Sequence, residues 1–264
     1  MKIVKHITFF YLENRIICIN NIIDATNQYE FITDIYIHTN NKDLKKDIFN
    51  KYTNGNITIL YHDLTNIDPC YLSWKCRDLL KKQKDDYDIF IYIEDDILVP
   101  YKAIKYWLKY SPELISLNYN LGFLRIEFDQ NNTEFITDLH GEQFDTIVNL
   151  NNSNYCVNNK NPYCAFWIYT KEEFNKFVNS KYYDCVNIEG YGNDYRVQSA
   201  IGLHGKKVDW YKSTLIPVIN NKLLEDCKIY HMPNNYVYNN YTLFATIKFD
   251  DCIKKDLNNL YIPN

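Results

Sequence analysis

Along its first hundred residues the chain alternates short apolar runs with stretches whose apolar positions recur every three or four residues. Residues 7–11 form a β-branched and aromatic run, and residues 13–27 carry Ile16, Ile19, Ile22 and Ile23 at helical spacing. Residues 34–38 alternate as Asp-Ile-Tyr-Ile-His and stop at the turn residues Thr39-Asn40-Asn41. The pattern then predicts a short polar helix over 42–52 and a strand over 57–61. A helix over 70–84 follows, opened by Pro69, with Leu72, Cys76, Leu79 and Leu80 on its buried face. Residues 87–93 are almost continuously apolar, as suits a parallel strand covered on both faces. Four strands joined by three helices predict an α/β fold with right-handed crossovers.

The second half is less regular. It predicts a helix over 101–110, an alternating strand over 121–128 and a polar, loop-rich or hairpin-like stretch over 131–160. A strand over 165–169 runs into a helix over 171–179, and a helix over 195–203 precedes a late strand over 206–210. No repeat or flexible linker interrupts the chain. The expectation is one compact, two-lobed domain, with residues 1–100 as one half and 101–264 as the other.

Composition narrows the function classes. At 264 residues, 46% hydrophobic and 23% charged, the chain is an ordinary globular one rather than disordered or fibrous. A net charge of −4 provides no broad positive field, which argues against a nucleic-acid partner. The apolar runs fall far short of the roughly 20 residues a membrane-spanning helix needs, so no membrane span is expected. The N-terminal residues are expected to form the first strand rather than a secretory signal. Eight cysteines without a CxxC pair read as reduced core thiols, and the expected location is cytoplasmic. Heavy use of Asn, Ile, Lys and Tyr, with seven Gly and seven Pro, suits an AT-rich genome such as that of a large DNA virus. In that case the location is the host cytoplasm.

The chemistry concentrates where the fourth strand ends, at Glu94-Asp95-Asp96. Ligands of open α/β sheets bind at the carboxyl ends of the strands. Three adjacent carboxylates raise one another's pKa unless a cation neutralises them. Hard divalent ions take such oxygen ligands together with substrate phosphates. The candidate is a metal site that grips a diphosphate, against the plainer reading of a solvated acidic turn before Pro100.

Tyr92-Ile93-Glu94-Asp95-Asp96-Ile97 resembles the "DxD" signature of GT-A fold glycosyltransferases, which move a sugar from a nucleotide diphosphate to an acceptor with Mn²⁺ or Mg²⁺. Two further segments follow in family order. Gly190-Tyr191-Gly192-Asn193-Asp194, then Arg196 and Gly205-Lys206-Lys207, is similar to the "GWGxED…R…G" segment of inverting members. His231, in Tyr-His-Met-Pro, resembles their C-terminal metal-binding histidine.

The resemblance implies a Rossmann-like, mixed but mostly parallel central sheet flanked by helices. It implies a nucleotide-sugar donor, a UDP-sugar foremost, and a glycan or protein acceptor hydroxyl. Asp194 becomes the general base. Because Asn193 stands where the family usually has Glu, Glu189 is the alternative base. Asp96 and His231 become metal ligands, Glu94 acts through water, and Asp95 meets the ribose. An imidazole ligand tilts the metal toward Mn²⁺ over Mg²⁺.

Donor binding extends to Tyr11 and Arg15 after the first strand, His38 after the second, and Arg77 on the helix over 70–84. Arg125 and Glu127 share one side of their strand, and either pair with each other or line the donor-sugar pocket. Tyr163, Trp167 and Tyr191 are acceptor-side candidates. A nucleotidyltransferase would need a glycine-rich phosphate loop after the first strand, and residues 11–15 contain no glycine. The alternative function is a catalytically degenerate relative that binds sugar or nucleotide, or serves as a scaffold.

Overall fold

The computed structural model describes residues 1–184, 194–204, 210–239 and 241–255. They form a mixed α/β structure that divides into two compact units. One comprises residues 1–101 and 165–203, the other residues 102–164 and 204–264.

The first unit is built on β1 (Lys2–Phe9), β2 (Ile32–Thr39), β3 (Ile57–Tyr61), β4 (Ile89–Glu94) and β5 (Phe166–Thr170). Their spatial order is β5-β4-β1-β2-β3. β4, β1, β2 and β3 are parallel, and β5 pairs antiparallel on the free side of β4. Helices α1 (Ile16–Asn27), α2 (Arg77–Lys82), α3 (Lys171–Val178) and α4 (Tyr195–His204) belong with it.

The apolar character of β4 matches its position, since Ile89, Phe90, Ile91, Tyr92 and Ile93 are all buried between layers. Each such side chain contributes about 1.5–3 kcal/mol by leaving water. A capping box of Thr170 and Glu173 starts α3 directly from β5. The chain leaves β1 on one side for β2 and β3 and returns on the other side for β4. That reversal opens a crevice at the carboxyl ends of β1 and β4.

Lys5 interrupts the apolar pattern of β1. Its amine is buried and donates to Thr26 Oγ1 at 2.6 Å and to Tyr29 Oη at 3.1 Å. Burial pushes it down to about 7. An unfolded lysine titrates near 10.4, so above pH 7 the unfolded chain holds a proton that the folded chain lacks. Stability therefore rises with pH between about 7 and 10, by about 1.4 kcal/mol per unit. In Lys5→Met the two hydroxyls keep their carbonyl acceptors, Ile22 O and Val99 O. The variant is expected to raise the urea midpoint at pH 7 and to lack this part of the rise from pH 7 to 9. A rise identical to wild type would place the amine's titration elsewhere.

The second unit carries two small sheets. In one, Thr214–Ile219 pairs with Lys222–Leu223, with Ser153–Val157 and with Asn120–Leu121, and Ser153–Val157 pairs with Ile147–Leu150. In the other, Leu124–Phe128 lies between Glu134–Ile136 and Lys228–His231, and Ile247–Lys248 extends it. Two hairpins of the first of these sheets turn on Asn-Asn pairs with positive φ, Asn151-Asn152 and Asn220-Asn221. Asparagine tolerates the left-handed region at tight hairpin turns, so a glycine-poor chain still turns there.

Several expected elements change. The helix over 42–52 is a single 3-10 turn at Lys46–Ile48. Its buried residues, Leu44 and Phe49, are five apart and would not share a helical face. The helix over 70–84 splits into a 3-10 turn at Pro69–Trp74 and α2. The helix begun at residue 101 runs on to Ser116 through Pro112, carried by the buried Ser111 and Leu114. The expected strand over 206–210 falls mostly outside the described residues.

Among the described residues no disulfide forms, and most of the cysteines are buried. No helix among them is long and apolar enough to cross a membrane.

Candidate functional site

The crevice at the ends of β1 and β4 holds a pocket of about 220 Å³. Its acidic wall is Glu94, Asp95 and Asp96. Phe10, Leu12 and Arg15 come from the segment after β1, Cys70 and Ser73 from the 3-10 turn before α2, and Arg196 from α4. The acidic trio is held open to this space by β4, whose end is tied to β1 through Asp95 N–H donating to Thr8 O at 3.1 Å.

Asp95 and Asp96 are buried and converge on one nitrogen of Arg15. Nη1 donates to Asp95 Oδ1 at 2.9 Å and to Asp96 Oδ2 at 2.8 Å. Burial opposes the charge on Arg15, yet the two carboxylates raise its pKa. One guanidinium is not enough for the pair. Burial, and then the Asp96 charge, push Asp95 up to about 8, and Asp95 Oδ2 is buried with no hydrogen-bond partner. On Arg196, burial is again outweighed by the Glu94 and Asp194 carboxylates, which raise it. Three acidic side chains and two guanidinium groups therefore face one small space.

Helix α4 is fastened to this wall by side chains of the first unit. Trp74 Nε1 and Ser73 Oγ donate to Tyr195 O at 2.8 and 3.3 Å, and Arg77 donates to Ser199 O at 2.7 Å. Tyr92 Oη meets Ser199 Oγ at 3.2 Å. Asp194 caps the helix, its Oδ1 accepting from the backbone N–H of Arg196 and of Val197. Its other oxygen lies 3.5 Å from the Arg196 guanidinium.

Arg15, Glu94 and Asp95, expected on the donor side, and Asp96, expected on the metal, thus line one pocket. Others do not join them. Tyr11 is edge-on to Phe9 at 5.7 Å, and it is Phe10 and Leu12 that line the pocket.

His38 is fully buried and belongs to a ladder of imidazoles. Its Nε2 meets His6 Nδ1 at 2.8 Å, its Nδ1 meets His62 Nε2 at 2.9 Å, and His6 Nε2 meets Gln83 Oε1 at 2.9 Å. Arg77, expected to reach a donor phosphate, is buried inside a box of Trp74, Trp167, Phe177 and Tyr183, with its carbon 4.7–5.6 Å from their ring centres. Trp167 is likewise core, stacked on Tyr92 and Phe174, rather than an acceptor platform. Glu189 and Tyr191 lie outside the described residues.

His231 and Tyr163 belong to the second unit. His231 Nδ1 contacts Glu127 Oε1 at 2.5 Å, and Glu127 Oε2 accepts from the backbone N–H of Tyr236 and Val237 at 2.9 and 2.7 Å. This is the arrangement that orients a ligating histidine and sets its tautomer. Arg125 forms a two-pronged pair with Asp138 at 2.7 and 3.0 Å, and the Tyr163 ring packs 5.3 Å from its guanidinium. Arg125 and Glu127 each have a partner other than one another. Glu127 as the residue that orients His231 had no signal beyond its strand position.

Among the described residues no three His, Cys, Asp or Glu side chains converge as a ligand cluster. The donor chemistry of the first unit's pocket nevertheless suits a hard divalent ion, because it offers carboxylate oxygens, one of them buried and unpartnered. No protein-family model matches the chain, and no curated protein matches it either.

Proposed function

We propose that the chain is a metal-dependent glycosyltransferase with a GT-A fold, transferring a sugar from a nucleotide-diphosphate donor, a UDP-sugar foremost, to an acceptor hydroxyl with inversion. One observation carries this reading: an acidic trio at the carboxyl end of β4, with Asp95 and Asp96 buried, lies where the strand order reverses and shares a pocket with two arginines.

Arg15 and Arg196 supply charge for the diphosphate, and guanidinium groups suit its oxygens through paired hydrogen bonds. Phe10 and Leu12 give the pocket an apolar flank for base or ribose. A divalent ion on Asp95 and Asp96, Mn²⁺ or Mg²⁺, would supply Lewis acidity to the departing diphosphate. Asp194 takes the acceptor proton, which on the face opposite the leaving group gives inversion in one displacement.

The rival, a protein that binds nucleotide without transferring sugar, draws support from Asp194 serving as a helix cap. Incubation with UDP-sugars and Mn²⁺, read as released nucleoside diphosphate, tests the reading. Turnover is expected in wild type and absent in Asp96→Asn, together with an at least tenfold loss of Mn²⁺-dependent UDP binding, about 1.4 kcal/mol. Unchanged binding in Asp96→Asn would remove this pocket as the metal site.

A further inference from the structure

The contact between Arg15 and the acidic pair resembles a metal contact in one respect: a single nitrogen bridges two carboxylates at 2.8 and 2.9 Å. The carboxylates are buried, whereas the Arg15 side chain is about one-third exposed, at 31%. It ends a short 3-10 turn, Glu13–Arg15, that has no side-chain cap. The rigid partners are on the sheet, and the movable one is the cation.

We propose that Arg15 is the resident counter-ion of Asp95 and Asp96 in the ligand-free protein, and that it yields them to a divalent cation when a nucleoside diphosphate offers its guanidinium a second partner. Metal and nucleotide then bind as a coupled pair. The inference rests on the metal-and-diphosphate reading of this pocket and adds the coupling of the two ligands.

The electrostatics run in that direction. A divalent ion entering alone must share two carboxylates with a guanidinium already in contact with them, and like charges a few ångströms apart in a half-buried site repel strongly. The alternative, sending Arg15 into water, forfeits two charge-assisted hydrogen bonds. A diphosphate brings negative charge and a bidentate partner for the displaced guanidinium, so both objections vanish together. Asp95 Oδ2, buried and unpartnered, is an atom that Arg15 leaves unsatisfied and a divalent ion can take. Linkage makes the effect reciprocal: whatever factor UDP applies to Mn²⁺ affinity, Mn²⁺ applies to UDP affinity.

Calorimetry on the full chain tests this, with Mn²⁺ alone and UDP alone as probes and then each at saturation of the other. In wild type, UDP is expected to tighten Mn²⁺ at least tenfold, and Mn²⁺ to tighten UDP by the same factor. In Arg15→Gln, Mn²⁺ alone is expected to bind at least tenfold more tightly than in wild type, with the coupling reduced to threefold or less. Arg15→Lys keeps the positive charge and is expected to keep most of the coupling, which covers the case of a glutamine variant that folds poorly. Mn²⁺ affinity that is unchanged or weaker in Arg15→Gln, or wild-type coupling near one, overturns the proposal while leaving the metal site standing. Absence of Mn²⁺ binding in every variant, with and without UDP, overturns both.

Discussion

Asp194→Asn is expected to lower sugar transfer by about 10²- to 10⁴-fold, the usual contribution of a general base, while UDP binding with Mn²⁺ stays near wild type. The structure makes this substitution unusually clean. Asp194 Oδ1 accepts from the N–H groups of Arg196 and Val197, and so starts α4. Asparagine caps a helix as well as aspartate does, so the cap survives; what is lost is the proton acceptor, together with the exposed charge partner of Arg196. Asp194→Ala would also remove the cap, costing about 1 kcal/mol and disturbing Arg196 in the pocket. Released UDP and calorimetric UDP affinity, measured on the same preparation, separate the two roles. Equal loss of transfer and binding would make Asp194 a structural residue. Full transfer in Asp194→Asn with loss in Glu189→Gln would move the base to Glu189.

The second large effect is on acid stability. Gln83 Oε1 is an acceptor, so His6 carries its proton on Nε2, and the ladder then assigns Nε2–H to His38 and His62 in turn. Each inner ring donates at one nitrogen and accepts at the other, so neither can take a second proton without breaking a hydrogen bond. Burial pushes His6 down to about 3. Burial, and then the neighbouring imidazoles, hold His38 well below its ordinary value, and burial with Lys75 nearby lowers His62. Tyr36 stacks on His6 and adds no counter-charge.

An unfolded histidine titrates near 6.5. Below that pH the unfolded chain takes protons the folded ladder refuses, and stability falls by about 1.4 kcal/mol per pH unit for each inner ring. The contribution is complete above pH 6.5 and is lost as the pH drops toward 3. Urea midpoints at pH 7, 5.5 and 4.5 are expected to fall steeply in wild type. His6→Gln is expected to be less stable at pH 7 but to show a shallower fall. Equal slopes in the two proteins would mean that the inner rings do not titrate with unfolding.

The strands of the first unit were readable because period and composition act locally. The continuous apolar run ending in Glu94 needs no partner to announce a buried strand, and Asp95 and Asp96 follow from it at the sheet's carboxyl end. Helix over 42–52 failed because polar residues alone leave no stripe to bury. Of the segment after β1, Phe10, Leu12 and Arg15 line the pocket and Tyr11 does not, a choice made by the turn that follows the strand rather than by any local pattern.

The sequence by itself determined the α/β alternation and the acidic trio at a strand end, since both depend on neighbours a few positions apart. Only the tertiary structure decided where the isolated charges go. His38 joined His6 and His62 because parallel pairing of β1 and β2 sets His38 opposite Thr8, two residues beyond His6. Arg77 entered an aromatic box assembled from residues up to about a hundred positions away. Arg125 found Asp138, and Glu127 found His231. A charged side chain pairs with whatever the fold brings within about 3 Å, and that distance is set by strand order and packing, which no local pattern encodes.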